Sequence, residues 1–133
     1  MVRLHDLKKR TRDNYKRIGS IKCPILGETV YFTSEGFNHL VYKSYGRPRT
    51  VQEQFMKLKC FEHATSVLRD ATLVKEVRKV RIKKKGKWKK AIQYGIVHEV
   101  KRGKRIRVVV EKIGKTGKHK FVSVMPEDNA SKY

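Results

Sequence analysis

Acidic residues are scarce in this chain: 12 Asp and Glu stand against 34 Lys and Arg in 133 residues, a net charge of +22. Small domains commonly carry net charges of about 2–8, so a polyanionic partner is expected ahead of a surface tuned only for solubility. Nucleic acid leads, with an acidic inhibitor protein or a membrane surface behind it. Cysteine is almost missing. Cys23 and Cys60 are isolated and there is no Cys-x-x-Cys, so a zinc site has no support and both thiols are expected to act as small buried hydrophobes. The five histidines have no carboxylates at ligand spacing, and neither a metal nor another cofactor is expected. No apolar run approaches the length of a membrane span, and Met1–Ser20 is too charged for a signal peptide; the expected compartment is the cytoplasm. Ser-His-Asp and Cys-His arrangements are missing. Gly-Lys-Thr-Gly-Lys at 114–118 lacks the strand-to-helix setting of a phosphate-binding loop and reads as a hairpin turn.

What is present is concentrated in the second half. Between Leu73 and Lys120 stand 19 Lys and Arg and three acids. The apolar runs Val77–Ile82, Ala91–Val100, Ile106–Ile113 and Phe121–Met125 are separated by Gly-containing charged turns. Short strands with such breaks predict consecutive hairpins, hence a four-stranded antiparallel meander. Alternation gives the meander two faces. Ile92, Tyr94, Ile96, His98 and Val100 share one with Ile106, Val108 and Val110. Gln93, Gly95, Val97, Glu99, Arg105, Arg107 and Glu111 share the other, expected to be open and basic.

The first half reads as what packs on that sheet. Length predicts one domain, placed at 25–126, with a basic arm or short helix at 1–24 and a loose tail at 127–133. Leu4/Leu7 and Tyr15/Ile18 are helically spaced pairs with a weak link between them. Thr29–Phe32 is β-branched and aromatic, a short strand. Thr33 or Ser34 then caps a helix expected to run to about Tyr45, with Phe37, Leu40 and Val41 inward and Glu35, His39 and Lys43 stacked on another side. Thr50-Val51-Gln52-Glu53 fits a capping box and opens a second helix, expected to reach about Asp70.

His39 is the sharpest candidate for chemistry: an imidazole on a short helix beside Lys43, able to move a proton near neutral pH. An ordinary half-exposed histidine has the same spacing. Arg105 and Arg107 on the open face suit a phosphate and the charge of a pentacoordinate phosphorus. Tyr94 is either a hydroxyl donor or core. Ser123 is a lone hydroxyl in an apolar strand. Arg81, Lys83, Lys84, Lys85, Lys87, Lys89 and Lys90 surround Trp88 at a hairpin tip, and Arg102 and Lys104 flank the next turn. Solvated charge explains these cations as well as a finger on a nucleic-acid backbone does, with Trp88 stacked on a base.

The order strand, His-bearing helix, long helix, meander resembles the barnase–EndoU–colicin–RelE superfamily of small ribonucleases, above all its phage-associated branch. Val30-Tyr31-Phe32-Thr33 leading to His39-Leu40, and the late strand Phe121-Val122-Ser123-Val124, carry the resemblance. The chain departs from it where Lys43 and Tyr45 stand in place of a second His, and Met125 in place of an aromatic. The resemblance implies an α+β fold of RelE/barnase type with N-terminal helices on a C-terminal sheet. It also implies a toxin-like or phage-type, metal-independent endoribonuclease, with His39 catalytic and Ser123 touching phosphate. Lys43, Tyr94 and Arg107 join the catalytic set on chemistry alone. RNA is the expected partner, with an acidic antitoxin or immunity protein as a second. The rival expectation is a non-catalytic basic RNA- or DNA-binding module, for example one associated with ribosomes.

Overall fold

In a computed structural model, residues 3–43 and 46–127 are described. They form α1 (Leu4–Ile18), β1 (Ser20–Cys23), β2 (Glu28–Tyr31), α2 (Ser34–Val41), α3 (Val51–Phe61), α4 (Ala64–Asp70), β3 (Val74–Lys84), β4 (Lys87–Lys101), β5 (Lys104–Ile113) and β6 (His119–Pro126). The chain is α+β. Among the described residues its sheet has six strands rather than the expected four, in the order β1-β2-β6-β5-β4-β3. Strands β3 to β6 pair antiparallel in succession, but β2 joins β6 in parallel, so the sheet is mixed.

The first 24 residues are no appendage. Leu7, Thr11 and Tyr15 of α1 are buried at successive four-residue steps. Thr11 is the link that an apolar pattern misses: its methyl is covered although its hydroxyl marks it as polar. Gly19 ends the helix at φ 64°, donating its N–H to the Tyr15 carbonyl, a backbone conformation that costs glycine little. The chain then enters the β1–β2 hairpin.

Two other helix boundaries differ from expectation. Helix α2 stops at Val41, because Tyr42 bridges to Pro48 and Arg49 turns back on the last helical turn. The Arg49 Nε donates to the His39 carbonyl at 3.0 Å and its N–H to the Val41 carbonyl at 2.8 Å. Tyr45, the expected end, lies outside the described residues. The second helix breaks at Glu62-His63, where both N–H groups donate to carbonyls three residues back and tighten the last turn. The break lets α3 lie along α1 and β6 while α4 crosses β1, β4 and β5. The capping box at Thr50 and Glu53 is present, with both bonds at 3.1 Å.

All four helices cover one face of the sheet, where Ile96, Ile106, Val108, Val110 and Val124 are buried. An aromatic cluster ties the layers together: Tyr15, Phe32, Phe37, Phe61 and Phe121, with ring centroids 5.2–6.0 Å apart in contacting pairs. Among the described residues, the other face, carrying Gln93, Gly95, Arg107, Val109 and Glu111, is bordered only by α2, whose Glu35 and His39 stand at its edge. Of the expected tail, Glu127 is fully buried, and 128–133 lie outside the described residues.

Candidate functional site

The site is made by the way β2 leaves the sheet. It pairs with β6 at only two positions, Val30↔His119 and Tyr31↔Lys120. Past Tyr31 the chain turns into α2, which takes the place beside β6 that a longer strand would fill. Thr33 caps α2, its hydroxyl oxygen accepting the Gly36 N–H at 3.4 Å, and the Tyr15 hydroxyl donates to the Thr33 carbonyl at 2.6 Å. Gly36 permits the close fit: a Cβ there would overlap the Tyr15 hydroxyl and the Phe121 carbonyl. With Phe37, Leu40 and Val41 buried, the next side of α2 presents Glu35 and His39 to the edge of the open face.

That edge is a cleft of about 250 Å³. His39 and Glu35 form one wall. Ile82, Lys83 and Lys84 of β3, Gln93 of β4, Glu111 and Ile113 of β5, and Lys120 of β6 are among the residues that complete it. The Gln93 amide donates to Glu111 Oε2 at 2.7 Å, which fixes the carboxylate plane. Glu111 and Lys120 are direct cross-strand partners, and the Lys84 ammonium stands 4.0 Å from Glu35. A half-buried imidazole and an oriented carboxylate thus line one basic cleft. One group can accept a proton while the other donates one.

Of the five side chains expected to be catalytic, His39 alone lines this cleft. Lys43 is paired with Glu53 of α3 at 3.3 Å. Tyr94 lies on the opposite face of the sheet, paired with Val110, its ring 5.7 Å from that of His119. Burial holds the His119 imidazole below its ordinary pKa, partly offset by Glu28.

Ser123 is engaged by Lys57 of α3, a residue the sequence did not single out. Val122 is the extra residue of a bulge in β6, and the outer edge of the strand beyond it has lost β2. Buried Lys57 caps that edge, donating to Ser123 Oγ and to the Val124 carbonyl, each at 3.0 Å. Burial, reinforced by the nearby Arg49 charge, lowers the Lys57 pKa to about 8.

Arg107 is on the open face but committed. Its Nε donates to Glu127 at 2.9 Å and its Nη1 stands 3.6 Å from Glu76, while Lys75 reaches the same Glu127 at 2.7 Å. Burial alone would raise the Glu127 pKa, but the bonds from Arg107 and Lys75 outweigh it and hold the carboxyl low. Gly95 makes room for the guanidinium, since a Cβ there would stand 2.7 Å from Arg107 Nη1.

The nucleic-acid candidates divide in the same way. Lys83 and Lys84 line the cleft. Arg81, Lys85, Lys87, Trp88, Lys89 and Lys90 are exposed on the β3–β4 hairpin, and Arg102, Lys104 and Arg105 are exposed at the other end of the sheet.

Sequence reading placed Gln93 and Glu111 on the right face without assigning them a part. Glu111 stands between Val109 and Ile113 on alternate positions, and nothing in the linear pattern shows α2 arriving beside it. Among the described residues, no group of three or more His, Cys, Asp or Glu side chains is placed to hold a metal ion, and no helix is long and apolar enough to cross a membrane. The chain matches no protein-family model, and neither curated proteins nor solved structures show a significant match to it.

Proposed function

We propose that this chain is an endoribonuclease that cleaves RNA by attack of a 2′-hydroxyl on the adjacent phosphorus, without a metal. The observation that carries the reading is that His39 and the Gln93-bound Glu111 line one cleft together with Lys84 and Lys120. Glu111, held by Gln93, takes the proton of the 2′-hydroxyl. Its oxygen closes on phosphorus while His39 gives a proton to the departing 5′-oxygen. The products are a 2′,3′-cyclic phosphate and a 5′-hydroxyl. The lysines offset the charge of the phosphorane. The resemblance to the barnase–EndoU–colicin–RelE superfamily supports the same activity and a related RelE/barnase-like fold. It also suggests a toxin-like or phage-type role, with an acidic antitoxin as inhibitor. Against the expected catalytic set, Glu111 and Gln93 replace Lys43, Tyr94, Arg107 and Ser123.

The test is His39→Ala. A catalytic proton carrier contributes about 10²–10⁴ in rate, so cleavage should fall by that factor. Melting temperature should stay unchanged, since α2 buries Phe37, Leu40 and Val41 instead. Cleavage should survive EDTA and leave cyclic phosphate ends. Unchanged cleavage in the variant, or activity lost to EDTA and restored by magnesium, sinks the mechanism.

A second reading is a non-catalytic RNA- or DNA-binding module. The engagement of Lys43, Ser123 and Arg107 by structural partners favours it. It predicts tight RNA binding with no cleavage by the intact protein.

A further inference from the structure

The β3–β4 hairpin outruns the rest of the sheet. The β4–β5 ladder begins at Ala91↔Ile113, but β3 and β4 stay paired out to Lys84↔Lys87. Residues 81–84 and 87–90 therefore form a two-stranded finger, about 13 Å long at ~3.3 Å per residue. Its two faces are different. Ile82 and Lys84 face the His39 cleft. The pairs Lys83↔Trp88, Arg81↔Lys90 and Lys79↔Ile92 face the other way, on the side of the sheet that the helices cover further along.

On that second face Trp88 is 60% exposed, an unusual position for the largest apolar side chain. Two cations sit over its ring, the Arg81 guanidinium at 5.6 Å and the Lys83 ammonium at 6.0 Å from the centroid. Arg81 also lines a groove of about 640 Å³ next to the indole. Of its apolar lining Ile92 is on this face, with Val80 and Ala91 behind it on alternate positions; Lys79, Lys90 and Lys115 also line it, and no acid does. The volume falls within the range of about 300–1,000 Å³ usual for ligand sites. Flat apolar surface therefore alternates with positive charge along the face. Single-stranded nucleic acid alternates in the same manner, base with phosphate. A duplex does not fit, because its bases are already stacked on one another and the deep, narrow major groove of A-form RNA excludes side chains.

We propose that this outer face of the hairpin is a second binding site, for a single-stranded polynucleotide whose bases stack on Trp88 and enter the groove at Ile92. The inference deepens the nuclease reading and rests on it for its consequence. A strand held here must pass over the finger to reach His39, so recognition and cleavage occupy different segments of the RNA. Binding itself does not depend on catalysis, which separates the two tests.

Trp88 is the one tryptophan of the chain, so its emission reports its own contacts. The intact protein is titrated with a ten-nucleotide oligothymidylate, which has no 2′-hydroxyl and cannot be cleaved by the proposed route. Polyphosphate, polyglutamate and a duplex RNA, matched in charge, are titrated in parallel. Saturable quenching by the oligothymidylate, with little change from the other three, is the expected result. Anisotropy of a labelled strand should show Trp88→Ala binding about ten- to a hundredfold more weakly, with Trp88→Phe recovering most of that. Trp88→Ala should leave the melting temperature unchanged, since the indole is exposed. Equal quenching by polyglutamate would make the occupant an acidic protein, and preference for duplex RNA would remove the stacking site. Affinity unaltered in Trp88→Ala overturns the proposal. RNA cleavage without quenching sinks the groove alone, whereas quenching without cleavage sinks the nuclease reading alone.

Discussion

The two ends of the sheet use the same residue types for opposite purposes. Around Arg107, cations meet carboxylates: Glu127 is buried beneath Arg107 and Lys75, and Glu76 flanks the guanidinium. On the hairpin, Arg81 and Lys83 meet an indole, and Lys85, Lys87, Lys89 and Lys90 have no carboxylate partner among the described residues. One end is neutralised and rigid, a knot that fastens the residue after β6 to the sheet. The other keeps its charge for something outside the chain. A count of Lys and Arg cannot separate them. What separates them is whether a carboxylate arrives from elsewhere in the fold.

The largest effect should come from salt. If hairpin and cleft lysines release counterions from about six phosphates, RNA affinity should fall roughly a thousandfold between 50 and 200 mM salt. Lys85→Ala and Lys87→Ala should each lower the logarithmic salt slope by about 0.7, the value per phosphate for single strands. A flat affinity across that range, measured by filter binding or anisotropy, would erase the contrast between the two ends.

Next in size is the knot. Glu127→Gln removes the one charge that Arg107 and Lys75 share. Removing one partner of a buried pair costs about 3–5 kcal/mol; the half-exposed Lys75 places the loss near the lower figure, about 3 kcal/mol. Urea unfolding should show it, while the salt slope of RNA binding remains as before. The Glu127 pKa is lowered in the folded protein, so its contribution is present above the unfolded carboxyl pKa and is lost as pH falls through the folded value. The variant should therefore lose the corresponding acid sensitivity. Wild-type stability in Glu127→Gln would make the knot a surface pairing of little consequence.

Smallest, as a change over one pH unit, is the response of Lys57. Its folded pKa of about 8 lies below the ordinary lysine value of 10.5. Between those values the unfolded chain binds more protons, so this group makes stability rise with pH, by at most ~1.4 kcal/mol per unit. Lys57→Met should flatten the rise between about pH 8 and 10.5 in thermal melts. An unchanged slope would mean that the strand edge at Val124 is capped by a lysine that folding does not perturb.

Much of this was legible beforehand where the signal was local. The capping box at Thr50, the two-residue alternation from Ile92 to Val110 and the Gly-containing turns depend on neighbours a few residues apart, and the structure has them. The helix break at Glu62-His63 was not legible, because no proline or glycine marks it; the need for α3 and α4 to reach different strands produces it. Of the arm or short helix expected at 1–24, the structure has a helix, α1, followed by β1, and the helix is joined to the core because Thr11, polar by type, is covered by the fold. In the candidate site, His39 stood out by its own chemistry. Glu111 and Gln93 did not, since their part depends on an imidazole delivered from 72 positions earlier in the chain.

By itself, then, the sequence determined the charge, the strand periodicity, the caps and the two-faced character of β4 and β5, all properties of residues at spacings set by backbone geometry. Tertiary structure alone decided that β2 would break off after two pairs with β6, that Gly36 would let α2 close into the gap, and that Glu127 rather than a phosphate would hold Arg107. Those outcomes depend on contacts between residues far apart in the chain, where packing density and the cost of leaving a buried charge or strand edge unpaired select one arrangement.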